Sequence, residues 1–349
     1  MGLTHAQAGF AFSACILTLA STRIGWGLIL DRFALKKVMA LASTLIAASS
    51  ILRGRAAGYL ELVALQSALG IGLGAALPCL PKLVALWFPK KEEGFATGVY
   101  VAGFAAGNMA GLGLTPWLLD CAGGWRAAFT LHGLLALFLA AAWWAAVERP
   151  GREERASMAE ALGLVLRARK VWVLTGLFLF SAGCYDTASV WLPYVLQLKG
   201  APPTQAGLLA LLLPLGFLTS GPAVGRLADW VGKRAPVMAG LGLASGLMLL
   251  LMAISSGIAL YAAIFLVGFC SIGVLTLTLA IPAGFKVARL TASAAGFMSS
   301  IGNAGTVVMP AAIGYVKDAT GSFLPALSLL ALMAEGAFIL SLLERNELD

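Results

Sequence analysis

Eight features of this chain recur at a single offset of 198 residues, which restricts it to folds built from two like halves. Gln7-Ala8-Gly9 returns as Gln205-Ala206-Gly207, Gly27 as Gly225, Asp31 as Asp229 and Lys36 as the basic Arg234. Gly98, Gly107, Asp120 and Gly123 return as Gly296, Gly305, Asp318 and Gly321. Around these marks lie apolar runs near 8–30, 38–56, 60–88, 95–118 and 126–147, then near 171–197, 204–226, 236–255, 258–281, 293–316 and 322–343. Each has roughly the 20 residues or more that a helix needs to cross ~30 Å of hydrocarbon at ~1.5 Å per residue. An all-α membrane protein with 11 visible transmembrane helices is expected: five in an N-terminal bundle, 1–147, and six in a C-terminal bundle, 171–349. A polar cytoplasmic connector at 148–170 joins them. Subtracting the offset from 171–197 leads upstream of Met1, so a first helix is expected to be missing, with an open groove where it would pack.

With 60% hydrophobic residues, 11% charged and a mean hydropathy of +0.90, the chain has far too little charge for a water-exposed surface. Its net charge of +8 points to membrane orientation and not to nucleic acid, because the basic residues divide unequally between alternate loops. One set holds 17, from Arg32, Lys36 and Lys37 through Lys233 and Arg234 to Arg345, and the other holds only Arg53, Arg55, Arg126, Lys199 and Lys317. The richer set and the C-terminus are therefore expected in the cytoplasm, in a multi-pass protein of the cell's inner membrane. The implied partners are the lipid bilayer and a small-molecule substrate, with the chain acting as a monomer. Cys15, Cys79, Cys121, Cys184 and Cys270 stand singly and read as packing residues. No cofactor, metal or enzyme constellation is implied.

Between the first two visible spans runs Gly27-Leu-Ile-Leu-Asp31-Arg32-Phe-Ala34-Leu-Lys36-Lys37, and the second half repeats it as Gly225-Arg-Leu-Ala-Asp229-Trp-Val-Gly232-Lys233-Arg234. This turn resembles the cytoplasmic signature of the major facilitator superfamily, and the resemblance covers both halves. It implies two six-helix bundles, a central cavity and rocking-type alternating access. Ala34 departs from the glycine usual in that family, and Trp230 stands where a basic residue is common. In physical terms, an Asp at a helix end can accept hydrogen bonds from the N-terminus of a neighbouring helix, whose dipole favours negative charge. With Gly27, Arg32, Lys36, Gly225, Lys233 and Arg234, the acids Asp31 and Asp229 form a candidate conformational latch whose basic residues pair across a seam.

Arg23 precedes Asp31 by eight residues, which puts it about 12 Å along the helix toward mid-bilayer. An Arg there costs roughly 2.5–3.5 kcal/mol on insertion scales unless it meets a polar cavity, so an anion is expected beside it. Its planar fork suits nitrate, nitrite or a carboxylate. Arg23 resembles the anion-binding Arg of the nitrate/nitrite porters of that superfamily, whose second Arg falls here at Gly221. The incomplete clamp favours an anion that needs one strong cation, such as a monocarboxylate or cyanate. Gly-Asn at Gly107-Asn108 and Gly302-Asn303 also resembles those porters, which makes Asn108 and Asn303 candidate substrate contacts. The alternative for Gly103, Gly107 and Gly111 is close helix packing.

Lys82, in Leu77-Pro78-Cys79-Leu80-Pro81-Lys82, can either snorkel to the interface or be turned inward by the prolines. Asp186 and Glu335 lie within apolar spans, where burial favours a neutral carboxyl, and are candidates for proton coupling; the alternative is that one of them pairs with Arg23 as a structural charge. His132 reads as a packing or hydrogen-bonding residue. The function expected is secondary active transport of a small anion (monocarboxylate, cyanate or nitrate-like), with proton symport as an option. Efflux of amphipathic compounds, or a non-transporting receptor on the same fold, stays open.

Overall fold

Runs of this length can satisfy their backbone groups inside lipid only as helices, and helices are what the computed structural model shows. It describes residues 5–121, 124–145, 158–281 and 291–344. In chain order the helices are α1 (His5–Arg32), α2 (Leu35–Arg53), α3 (Tyr59–Leu73), α4 (Ala76–Trp87), α5 (Glu93–Cys121), α6 (Trp125–Ala145), α7 (Met158–Arg167) and α8 (Arg169–Leu198). Then follow α9 (Pro203–Ala210), α10 (Leu212–Val231), α11 (Ala235–Ile254), α12 (Gly257–Ala280), α13 (Thr291–Gly302), α14 (Ala304–Thr320) and α15 (Phe323–Leu343). All 11 expected spans fall on helices, and nine stretches of the described residues are long and apolar enough to cross a membrane. The other two expected spans are α5 and the broken pair α13 and α14.

Prolines explain two of the breaks. Pro78 cannot donate to the Gly74 carbonyl, and α3 ends there; Pro214 stands in the same relation to Ala210, the end of α9. The first break has a local repair. Ala75 N–H turns to the Gly72 carbonyl at 3.3 Å, and the Trp26 indole takes the Ile71 carbonyl at 2.6 Å. Within the expected polar connector from 148 to 170 lies the helix α7. Its apolar residues Leu162, Val165 and Leu166 recur at helical spacing, a signal that the surrounding charges obscure.

The chain divides into two compact units. Unit 1 comprises Met1–Trp87, Asn108–Arg167 and Phe285–Ser300, and part of its core is Trp26, Leu30, Val38, Met39, Cys79 and Ala292. Unit 2 comprises Phe88–Gly107, Ala168–Gly284 and Ile301–Asp349, with Leu192, Leu213, Leu249, Ile264 and Leu330 in its core. Cys15, Cys79, Cys184 and Cys270 are free and buried, while the Cys121 side chain lies outside the described residues.

Close helix crossings recur at the repeat offset. In unit 1 a Cβ on Gly27 would stand 2.5 Å from the Ala292 carbonyl oxygen, and one on Gly296 would stand 2.5 Å from that of Arg23. In unit 2 the same places are Gly225 against the Gly94 backbone and Gly98 against the Gly221 backbone. Gly103, Gly107 and Gly111 behave differently. Among the described residues a Cβ on any of them meets nothing within 4 Å, which corrects the expectation of close packing there. Gly305, the repeat partner of Gly107, does pack closely, on Leu179 of α8.

Gly98→Ala should therefore lower the melting temperature of the detergent-solubilised protein, with an overpacking cost of about 2 kcal/mol. Gly107→Ala should leave it unchanged or raise it, since Ala is favoured over Gly in a helix by ~1 kcal/mol. Equal shifts for the two variants would refute the packing difference.

Candidate functional site

The first four N–H groups of a helix lack acceptors within their own helix, and this chain supplies acceptors to two helices through two aspartates. Asp31 lies at the end of α1 with its side chain almost fully buried. Its Oδ2 accepts from Ser293 N–H at 2.7 Å and its Oδ1 from Ala292 N–H at 3.3 Å, in the first turn of α13. Asp229 near the end of α10 does the same for α5, accepting from Phe95 N–H at 2.8 Å and Gly94 N–H at 3.1 Å. The correspondence follows the repeat throughout: 31, 292 and 293 map onto 229, 94 and 95.

The two copies differ in their surroundings. Lys82 is buried, donates to the Leu30 carbonyl and stands 3.9 Å from Asp31 Oδ1. One ammonium thus caps a free carbonyl at the C-terminus of α1 and faces the acid beside it. The inward of the two courses open to Lys82 is the one taken, but its target is Asp31, which the sequence reading did not foresee. Lys82 follows two prolines in an apolar helix, and that position was the available signal. In the second copy the offset-related residue is Ala280, and the charge partners are Glu93 and Arg234 at 3.7 Å. Among the described residues, Arg32, Lys36 and Lys233 have no acid in salt-bridge range. The copies also end their helices differently. Gly232 takes the left-handed conformation at φ +70°, which an Ala would resist, and Ala34 stays extended at φ −58°, ψ 123°.

Arg23 is 8% exposed on α1, and its Nη1 donates to the Ser299 carbonyl of α13 at 3.2 Å. One turn away Ser300 Oγ donates to the Ala20 carbonyl at 2.8 Å, so polar contacts run along this face of α1. Asn303 sits at the break between α13 and α14, where its carbonyl receives Thr306 N–H at 3.1 Å; Asn108 is exposed on α5. Asp186 is half-buried on α8 beside Tyr185, whose ring meets Phe217 edge-on at 5.2 Å. Glu335 is half-buried on α15, its carboxylate lying over Gly246 of α11. His132 Nδ1 lies 2.9 Å from the Ala128 carbonyl of its own helix. Arg23 thus belongs to unit 1, while Asp186, Glu335 and Asn303 belong to unit 2.

A doubled aspartate cap in a two-fold repeat of apolar helices is the pattern that the signature turn implied, and the family model described as Major Facilitator Superfamily matches residues 1–344. The chain belongs to this superfamily. Superfamily members are membrane transporters of small molecules, not enzymes, and this one is a multi-pass membrane protein. It is 29% identical over 378 residues to "Probable sulfoacetate transporter SauU" of Cupriavidus necator, covering 97% of this chain and 85% of that protein. It is 24% identical over 388 residues to "Probable galactarate/D-glucarate transporter GudP" of Bacillus subtilis, covering 98% and 84%. "Probable nitrate/nitrite antiporter NarK1" of Thermus thermophilus is 27% identical over 267 residues, 71% of this chain and 59% of that one. Among solved structures, that of the superfamily transporter FucP in the outward conformation superposes with a TM-score of 0.81 at 15% identity, covering 98% of this chain and 91% of that chain.

Proposed function

We propose that this superfamily member is a secondary active transporter of a small organic anion, and that Arg23 grips the carboxylate or sulfonate of its cargo. The observation that carries this reading is a buried guanidinium within an apolar span, where a permanent positive charge is stable only beside polar or anionic groups. Three relatives named for sulfoacetate, for galactarate and D-glucarate, and for nitrate and nitrite support the same class of cargo. With Gly221 at the position offset from Arg23, this pair of positions supplies one cation, which grips one acidic group of the cargo. The working halves are 1–147 and 171–349, joined by 148–170. Asp31 and Asp229 latch one conformation by capping α13 and α5, and Asn108 and Asn303 lie near the cargo. Asp186 is the first candidate for a coupled proton and Glu335 the second.

Purified protein in liposomes should accumulate a labelled organic anion such as sulfoacetate, with unlabelled carboxylates and sulfonates competing and neutral sugars not. Accumulation of neutral or cationic amphiphiles with no competition from anions would overturn the reading. For coupling, Asp186→Asn should abolish accumulation driven by a pH difference while exchange of cargo across the membrane continues. Uphill accumulation retained by that variant would transfer the role to Glu335.

A further inference from the structure

Arg53 ends α2 on the side of unit 1 that the loop charges assign to the outside, and it is buried with no counter-ion among the described residues. It is 8% exposed. Its Nη1 donates to Gln66 Oε1 at 2.7 Å, its Nη2 to Ser50 Oγ at 3.2 Å, and its guanidinium lies 4.5 Å over the Phe129 ring. All three contacts are neutral. Its Nε has no hydrogen-bond partner, and no carboxylate of the described residues pairs with it. Glu61, the described acid at this end, is exposed and accepts from Ala57 N–H at 2.9 Å. The guanidinium is therefore held in place while no described acid compensates its charge, and an uncompensated ion costs several kcal/mol in a protein interior. Arg55 and Arg126 stand at the same end, and Arg126 gives Nη2 to the Ala56 carbonyl at 3.2 Å.

The second half shows that helix packing alone does not call for these cations. At the repeat offset Arg53, Arg55 and Arg126 become Leu251, Ala253 and Leu324. The outer arginines thus belong to the half that also carries Arg23, while the outer cations of the second half, Lys199 and Lys317, stand at other positions. The two sites are joined by α1: Cys15, buried on that helix, lies within electrostatic range of Arg53 and precedes Arg23 by eight residues, about 12 Å along the helix. At that level α1 is seated on α3 through Thr18 Oγ1, which donates to the Ser67 carbonyl at 3.0 Å.

We propose that Arg53 anchors a second anion site, which takes the carboxylate or sulfonate of the cargo outward of Arg23 before it moves inward. This rests on the anion reading of the chain. Gln66 fixes the fork, Phe129 supports its face, and the arginines at the rim draw anions toward it.

Cys15 supplies the test, since labelling it requires no transport. In reconstituted wild-type protein, Cys15 is reacted with the anionic sulfonatoethyl methanethiosulfonate and with its cationic trimethylammonium analogue, and the Cys15 peptide is quantified by mass spectrometry. Each rate is divided by that reagent's rate with a free thiol. The anionic reagent should be favoured about tenfold or more, the range of electrostatic enrichment in charged clefts. Added sulfoacetate should slow it. Arg53→Gln should abolish the preference and the protection, and Arg53→Lys should keep the preference, which separates lost charge from lost folding. Equal normalised rates in the wild type, or no reaction of Cys15 with either reagent, overturn the proposal. Charge-selective labelling without anion uptake would instead sink the transport reading and leave the site standing; uptake without selectivity would do the reverse.

Discussion

Arg23→Lys should lower the initial rate of anion uptake in liposomes at least about tenfold, a loss of 1.4 kcal/mol or more in transition-state or binding free energy, although the net charge is unchanged. The guanidinium presents two parallel N–H groups to a carboxylate or sulfonate, whereas an ammonium is a point charge that turns freely. One Arg23 donor is already committed to the Ser299 carbonyl, and a shorter ammonium cannot serve that carbonyl and an anion in the same geometry. Arg23→Gln, which removes the charge, should cost roughly 100-fold, about the 2–5 kcal/mol typical of truncating one partner of a buried charge pair. Both variants should be compared at equal protein recovery and melting temperature. Wild-type uptake by Arg23→Lys would show that the cargo is not held by a fork at this position.

Much of this architecture was legible because the repeat and the hydrocarbon thickness are both written in residue numbers. Apolar runs of one span's length leave few choices other than helices, and the offset of 198 identified the paired aspartates before any contact was known. The cap itself was also open to reasoning, since an acid at one helix end suits the N-terminus of another. What could not be read was the identity of partners distant in sequence. Lys82 and Asp31 are 51 residues apart, and nothing in the string around Lys82 says which group it faces. Arg53 looked like an ordinary loop cation because its burial depends on Gln66 and Phe129 from two other helices. Gly103, Gly107 and Gly111 carry the spacing of a packing face, yet spacing describes one helix only and packing needs a second. The absence of an Arg at Gly221 has a packing cause that the offset does not reveal: a Cβ there would run into the Gly98 backbone, so the second half has no room for a side chain where the first half has Arg23.

Asp31→Asn should destabilise the protein by roughly 3–5 kcal/mol in detergent, while Asp229→Asn should cost only about 1 kcal/mol. Both substitutions turn an acceptor pair toward the first-turn N–H groups of a helix into one acceptor and one amide donor, so the loss of the cap is shared. They differ in what is left behind. Removing the Asp31 charge strands Lys82, whose side chain is 9% exposed and retains only the Leu30 carbonyl among its described acceptors. Asp229 is half-buried, and its neighbourhood keeps the Arg234 and Glu93 pair at 3.7 Å. Lys82→Met should be as damaging as Asp31→Asn for the mirror-image reason, a buried carboxylate losing its cation. The double variant should then cost less than the two single costs added, with a coupling of about 1 kcal/mol or more in a double-mutant cycle. Melting temperatures of the four proteins, with Asp229→Asn as the repeat-related control, decide it: additive shifts, or equal shifts at Asp31 and Asp229, would mean that Lys82 and Asp31 do not depend on each other.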